Sequence, residues 1–175
     1  MRVILVPVAD RPECANALHA AFVLGQAVGA GVTGCHIRPH SDSQIAMPSS
    51  VGFSKLTNKD AEWRAASSPK LTKKASIAAR SLFAQLAESN GYDLLRRPRA
   101  KPGAVWMEKT GSPNRVLGIM GPVADLLVVS RPSSKGGKLA RLFLSASLFS
   151  SSRPVLVLPQ KKRRAVGKQI GRAHV

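Results

Sequence analysis

The apolar positions of this chain fall into two kinds of run that alternate. Val3 to Val8 is a continuous aliphatic stretch with Pro7 near its end, the pattern of a strand buried on both faces. Asp10 to Pro12 reads as a turn, with Asp10 placed to cap a helix. Ala17, Leu18, Ala21, Phe22, Leu24 and Val28 then recur at helical spacing across Glu13 to Val28. Gly29-Ala30-Gly31 stops that helix, and Val32 to Ile37 is again a short apolar run. Strand, helix and strand in this order make a βαβ unit, whose crossover is right-handed.

Residues 39 to 69 break the alternation. They are rich in proline, serine and polar residues, hold no sustained period, and read as a variable insertion or loop with a short helix near Asp60 to Ala66. Helical spacing returns from Lys70 to Ser89, through Leu71, Ala75, Ala78, Leu82, Phe83 and Leu86, and Asn90-Gly91 ends it. Ala104 to Glu108 is a third strand. Ser112 and Pro113 supply the start of a helix over Asn114 to Met120. Asp125 to Val129 ("DLLVV") is a fourth strand, Leu139 to Phe149 a fourth helix, and "RPVLVLP" at 153 to 159 a fifth strand. Five strands alternating with four helices predict the α/β class: a Rossmann-like, five-stranded parallel sheet with helices on both faces. In such a sheet ligands sit at the carboxyl ends of the strands.

Composition changes the picture in one respect, its charge. The chain has 27 Lys plus Arg against 9 acids, a formal net charge of +18. Lys161, Lys162, Arg163, Arg164, Lys168 and Arg172 contribute to this from a tail without acids, and residues 1 to 158 alone keep a surplus of 12. Such a field attracts polyanions, including nucleic acid. The aromatic residues are scattered rather than interleaved with the basic ones, so no stacking platform for bases is expected. No run approaches membrane-spanning length, and the N-terminal apolar run is too short for a signal peptide, which points to the cytoplasm.

Cys14 and Cys35 are too few for a disulfide framework or zinc site and read as reduced, small apolar residues. A redox role for Cys14, in the first turn of a helix, is the alternative. His36 reads as a hydrogen-bonded structural residue, and His19 and His40 have no companions at metal spacing, so no metal is expected. Asp10, Glu13, Glu108 and Asp125 are accounted for by caps, turns and strand ends. The serines lack a Gly-x-Ser-x-Gly elbow, so no enzymatic activity is expected.

Four stretches in order carry a resemblance: "ILVPV", "GCHIRP", "GSPNRVLGIMGPVADLLVVSRP" and "SSRPVLVLP". Together they resemble a universal stress protein domain over residues 1 to 159. The resemblance implies an adenine-nucleotide α-hydrolase-like fold, a role in stress response, and dimerisation through the last strand. It also implies either of two branches, one that binds ATP and one that does not. The ATP-binding branch carries Gly-x-x-Gly, nine residues, then Gly-Ser or Gly-Thr after the fourth strand, so that phosphate can approach backbone amides at a helix start. On this chain the first two glycines fall at Ser130 and Ser133 and the third near Arg141 and Leu142. The family's adenine-contacting aspartate falls on Ala9, with Asp10 one residue on, and the base contact of the second strand falls on Ile37.

The stretch "SRPSSKGGKLARL" after the fourth strand also fails as a Walker loop. Gly137-Lys138 is present, but Pro132 replaces the first glycine and Leu139 the Ser/Thr. An anion site would use Ser133, Ser134, Gly136, Gly137 and Lys138; the competing reading is a solvated connection. Arg131 and Arg153 lie at opposite ends of neighbouring strands and are not expected to converge.

The sequence thus predicts a stress-protein-like domain without a cofactor, acting through dimerisation or partner binding. ATP binding through Asp10, Ile37, Ser130, Ser133, Gly136, Gly137 and Lys138 is one alternative, and nucleic-acid binding is another. The edge available for a homodimer is Val155, Leu156, Val157 and Leu158, an apolar, proline-bracketed strand. Residues 160 to 175 are a basic tail. "AVGKQI" resembles the linker and first strand of a second domain in tandem family members, with which the last strand would pair. The final "IGRAHV" matches a common sequencing-adapter translation, so the chain is expected to be an N-terminal fragment with an artefactual end.

Overall fold

The computed structural model describes residues 1–8, 13–38, 69–97, 102–132 and 137–159. The 39–69 insertion, apart from Pro69, and the 160–175 tail therefore lie outside the described residues. The strands are β1 (Val3–Val8), β2 (Gly31–Arg38), β3 (Leu94–Leu95), β4 (Ala104–Thr110), β5 (Leu126–Ser130) and β6 (Val155–Leu158). The helices are α1 (Glu13–Val28), α2 (Pro69–Ser89), α3 (Pro113–Met120) and α4 (Gly137–Ser150), with a 3-10 turn at Gly121–Val123.

All pairings in the sheet are parallel, and the order is β3-β4-β2-β1-β5-β6. β1 is central, and its side chains alternate between two core layers as a period of two requires. Ile4, Val6 and Val8 pack with Leu18 and Phe22 of α1 and Phe83 of α2. Leu5 packs on the opposite face with Leu117 of α3, Phe143 of α4, and Ile37 and Leu127 of the sheet. Helices therefore cover both faces, as the sequence predicts.

The sheet has six strands rather than five. Leu94 and Leu95 pair in register with Ala104 and Val105, adding an edge beside β4. Two residues are too few for any period to register, and they sit in a turn-rich approach to β4. Most of the elements also shift at an end by one or two residues. β6 begins at Val155 and not Arg153. Asp125 precedes β5 and uses its carboxylate on the chain start, accepting the amides of Arg2 at 2.6 Å and Val3 at 3.0 Å. α4 begins at Gly137, so Gly137 and Lys138 belong to its first turn and not to the preceding connection. Ser112 holds the capping position of α3 in extended backbone, but its hydroxyl makes no capping bond; Pro113 opens the helix.

One glycine inside β2 is demanded by packing. A Cβ on Gly34 would stand 2.8 Å from the Phe83 ring and 2.9 Å from the Trp106 ring. Its absence lets Phe22, Phe83 and Trp106 form a continuous aromatic contact, with neighbouring centroids 5.3 Å apart.

Candidate functional site

β1 has β2 on one side and β5 on the other, so the chain winds outward in both directions from it. This is the topological switch point, and its crevice opens at the carboxyl ends of β1 and β5. Ser130 closes β5 at this crevice. Its side chain is buried, and its hydroxyl donates to the backbone carbonyl of Glu13 at 2.9 Å. The first turn of α1 is thereby tied to the end of β5. Asn16, one turn along α1, donates to the Pro159 carbonyl at 3.3 Å, tying the same helix to the end of β6. Arg131 follows Ser130 and is exposed, with its backbone amide on the Leu158 carbonyl at 2.8 Å.

The other nucleotide-site candidates are distributed as follows. Ile37 is buried among Leu5, Leu117 and Phe143, so its side chain belongs to the core and leaves only its main chain for a ligand. Gly137 and Lys138 are helical. Asp10, Ser133 and Gly136, like Ser134, lie outside the described residues. Arg141 is exposed on α4 and Leu142 is half-buried against the core. Arg131 and Arg153 stand at opposite ends of the sheet. Arg153 donates from its guanidinium to the Pro122 carbonyl at the amino-terminal end, away from the crevice.

A second polar cluster, at the carboxyl ends of β2 and β4, escapes sequence reasoning. Glu108 accepts the Ser76 hydroxyl at 2.8 Å and the Trp106 indole N–H at 3.4 Å on Oε1. Its Oε2 pairs with the Arg38 guanidinium at 3.1 Å. His36, buried beside it, stacks on Trp106 with centroids 5.9 Å apart. Burial works to raise the Glu108 pKa. The two hydrogen bonds and the positive charge of Arg38 and His36 outweigh it, and the carboxyl is held below its ordinary range. The signal in the sequence is the alternation of His36 and Arg38 on β2 with Trp106 and Glu108 on β4. Register pairs His36 with Glu108 and Arg38 with Thr110, so these side chains share one face. That register is a tertiary fact and cannot be read from either segment alone.

Cys35 is buried on the other face of β2, where burial pushes its thiol up to about 12 against the opposing charge of Lys109. It is an inert thiol at neutral pH. Cys14 is buried as well. Among the described residues, no group of three or more His, Cys, Asp or Glu converges on a metal site. Among the same residues, no helix is long and apolar enough to cross a membrane.

No family model matches the chain, and no curated protein matches it. Solved structures do. The universal stress protein UspA from Lactobacillus plantarum superposes with a TM-score of 0.59 at 17% identity, covering 90% of this chain and 97% of that one. The hypothetical protein MJ0577 gives 0.58 at 16%, over 93% and 98%. A universal stress protein solved in complex with cAMP gives 0.56 at 16%, over 90% and 96%. At such identities the likeness is one of architecture, and the parallel sheet with its switch point beside β1 has the fold of the universal stress proteins.

Proposed function

We propose that this chain is a stress-response domain of the universal stress protein type whose crevice does not hold ATP, and that it acts by pairing through β6. The observation that carries the first half is Ser130. A phosphate-holding loop needs glycine here so that oxygen can reach the amides. Here a buried side chain fills the position instead, and its hydroxyl is spent on the Glu13 carbonyl. Gly137 and Lys138, the remaining phosphate-like pair, open α4, and no glycine stands at Arg141 or Leu142.

The pairing rests on a contrast between the two sheet edges. β3 is two residues long and is followed by exposed Arg96 and Arg97, which blunt it against association. β6 is wholly apolar, and Val157 is 39% exposed on it. A second copy of this chain would cover it. Isothermal titration with Mg-ATP tests the first half, with no saturable binding in the micromolar range expected. Saturable micromolar binding overturns it.

A second reading has one observation in its favour. The similar universal stress protein bound to cAMP shows an adenine nucleotide on this fold. Here such a ligand would rely on Asp10, the main chain of Ile37, and cations rather than glycine amides. The same titration run with cAMP separates the two.

A further inference from the structure

The outer face of α3 and α4, remote from the crevice, carries apolar side chains that the fold itself does not use. Ile119 is 65% exposed in the last turn of α3 and Val123 is 67% exposed in the 3-10 turn after it. Leu148 and Phe149, in the last turn of α4, are 46% and 84% exposed. These residues flank one helix–helix contact. A Cβ on Gly118 would stand 3.7 Å from the Ser150 carbonyl oxygen, and one on Gly121 would collide with the Ser151 backbone. Backbone approaches backbone at this junction, Gly118 is exposed, and Ile119, Val123, Leu148 and Phe149 lie one or two residues in sequence from the positions that meet there. A close helix approach beside exposed apolar side chains suits docking of a further helix.

Charge decides the occupant. Residues 113–123 and 137–150 contain no acid. Arg115 lies one turn before Ile119 on α3, Arg141 lies two turns before Leu148 on α4, and Arg153 follows α4; all three are exposed. Asp125, the nearest acid in sequence, is held by the Arg2 and Val3 amides and lies near enough to Arg153 to be influenced by its charge, which leaves Arg115 and Arg141 as the cations of this face. A second copy docked face to face would set Arg115 and Arg141 against the same cations with no acid on either side, which local like-charge repulsion opposes. We propose that the α3–α4 face is a docking surface for an acidic amphipathic helix of another protein, with its apolar stripe on Ile119 and Phe149 and its carboxylates on Arg115 and Arg141. This surface is additional to the β6 edge.

The test uses the full chain and a labelled synthetic peptide of about three helical turns, with leucine on one face and glutamate elsewhere. Fluorescence anisotropy should show saturable binding that weakens with salt. A counterpart with lysine for glutamate should bind at least about 10-fold more weakly. Phe149→Ser and Ile119→Asn should each weaken the acidic peptide by about 10-fold, with the thermal midpoint unchanged because both side chains are already in water. Four outcomes overturn the proposal: no binding of the acidic peptide, equal binding of both peptides, wild-type affinity in the variants, or variants that lose only phosphatidylglycerol-vesicle binding. A variant that instead dissolves the dimer assigns this face to self-association and overturns it too. Mg-ATP titration and substitution on β6 report on the pairing reading separately, so either can fail alone.

Discussion

The Glu108 carboxylate receives the Ser76 hydroxyl and the Trp106 indole on one oxygen and the Arg38 guanidinium on the other, and so ties α2 to the ends of β2 and β4. Because its folded pKa lies below the unfolded value, its contribution is present above the ordinary carboxylate range. It is lost as pH falls through the depressed folded value. Urea unfolding from neutral to acid pH should therefore show stability declining on the acid side, and Glu108→Gln should flatten that decline. A Glu108→Gln slope identical to wild type would contradict the assignment. Ser130 makes a comparable tie between β5 and α1. Ser130→Ala removes a hydroxyl bonded to a backbone carbonyl, and a loss of about 1 kcal/mol is expected in the same assay. Gly34→Ala should cost about 1–3 kcal/mol, since the new methyl would stand under 3 Å from two aromatic rings, of which Phe83 is fully buried. None of these three roles follows from residue type. Glu108 and Ser130 read in sequence as a strand end and a loop residue, because their partners are 32 and 117 positions away.

At the scale of elements, the two edges of the sheet differ in what they offer. Val157→Lys on β6 should convert a dimer to a monomer by light scattering at micromolar protein, since one charge per edge suffices to oppose strand addition. A lysine in place of Leu94 on β3 should leave the mass unchanged. The reverse pattern would move the interface to the other edge. Most elements were legible: the strands and helices fall where runs of period 2 and 3.6 place them, because each must bury one face or two. β3 was not, since two residues carry no period. The start of α4 at Gly137 was not either, because Gly-Lys reads as turn and phosphate loop alike. That shift moves two residues from the loop into the first turn of α4, where backbone amides still point free of the helix.

The whole molecule carries a field of one sign. RNA should bind at low salt and lose affinity steeply as salt is added, as counterion release requires, with little preference for sequence. Affinity that persists at high salt, or that favours one sequence, would argue for dedicated nucleic-acid recognition. The sequence by itself determined the class of fold, the alternation of elements, the burial of β1 on both sides and the absence of glycine where phosphate would sit. These follow from local chemistry, namely side-chain polarity, periodicity and the need for a position without a Cβ. Only the tertiary structure decided that Ser130 turns its hydroxyl onto α1, that Glu108 gathers Arg38, Ser76 and Trp106, and that exposed apolar residues on α3 and α4 flank one junction. Each of those depends on strand register and helix packing, which bring together positions that no local pattern connects.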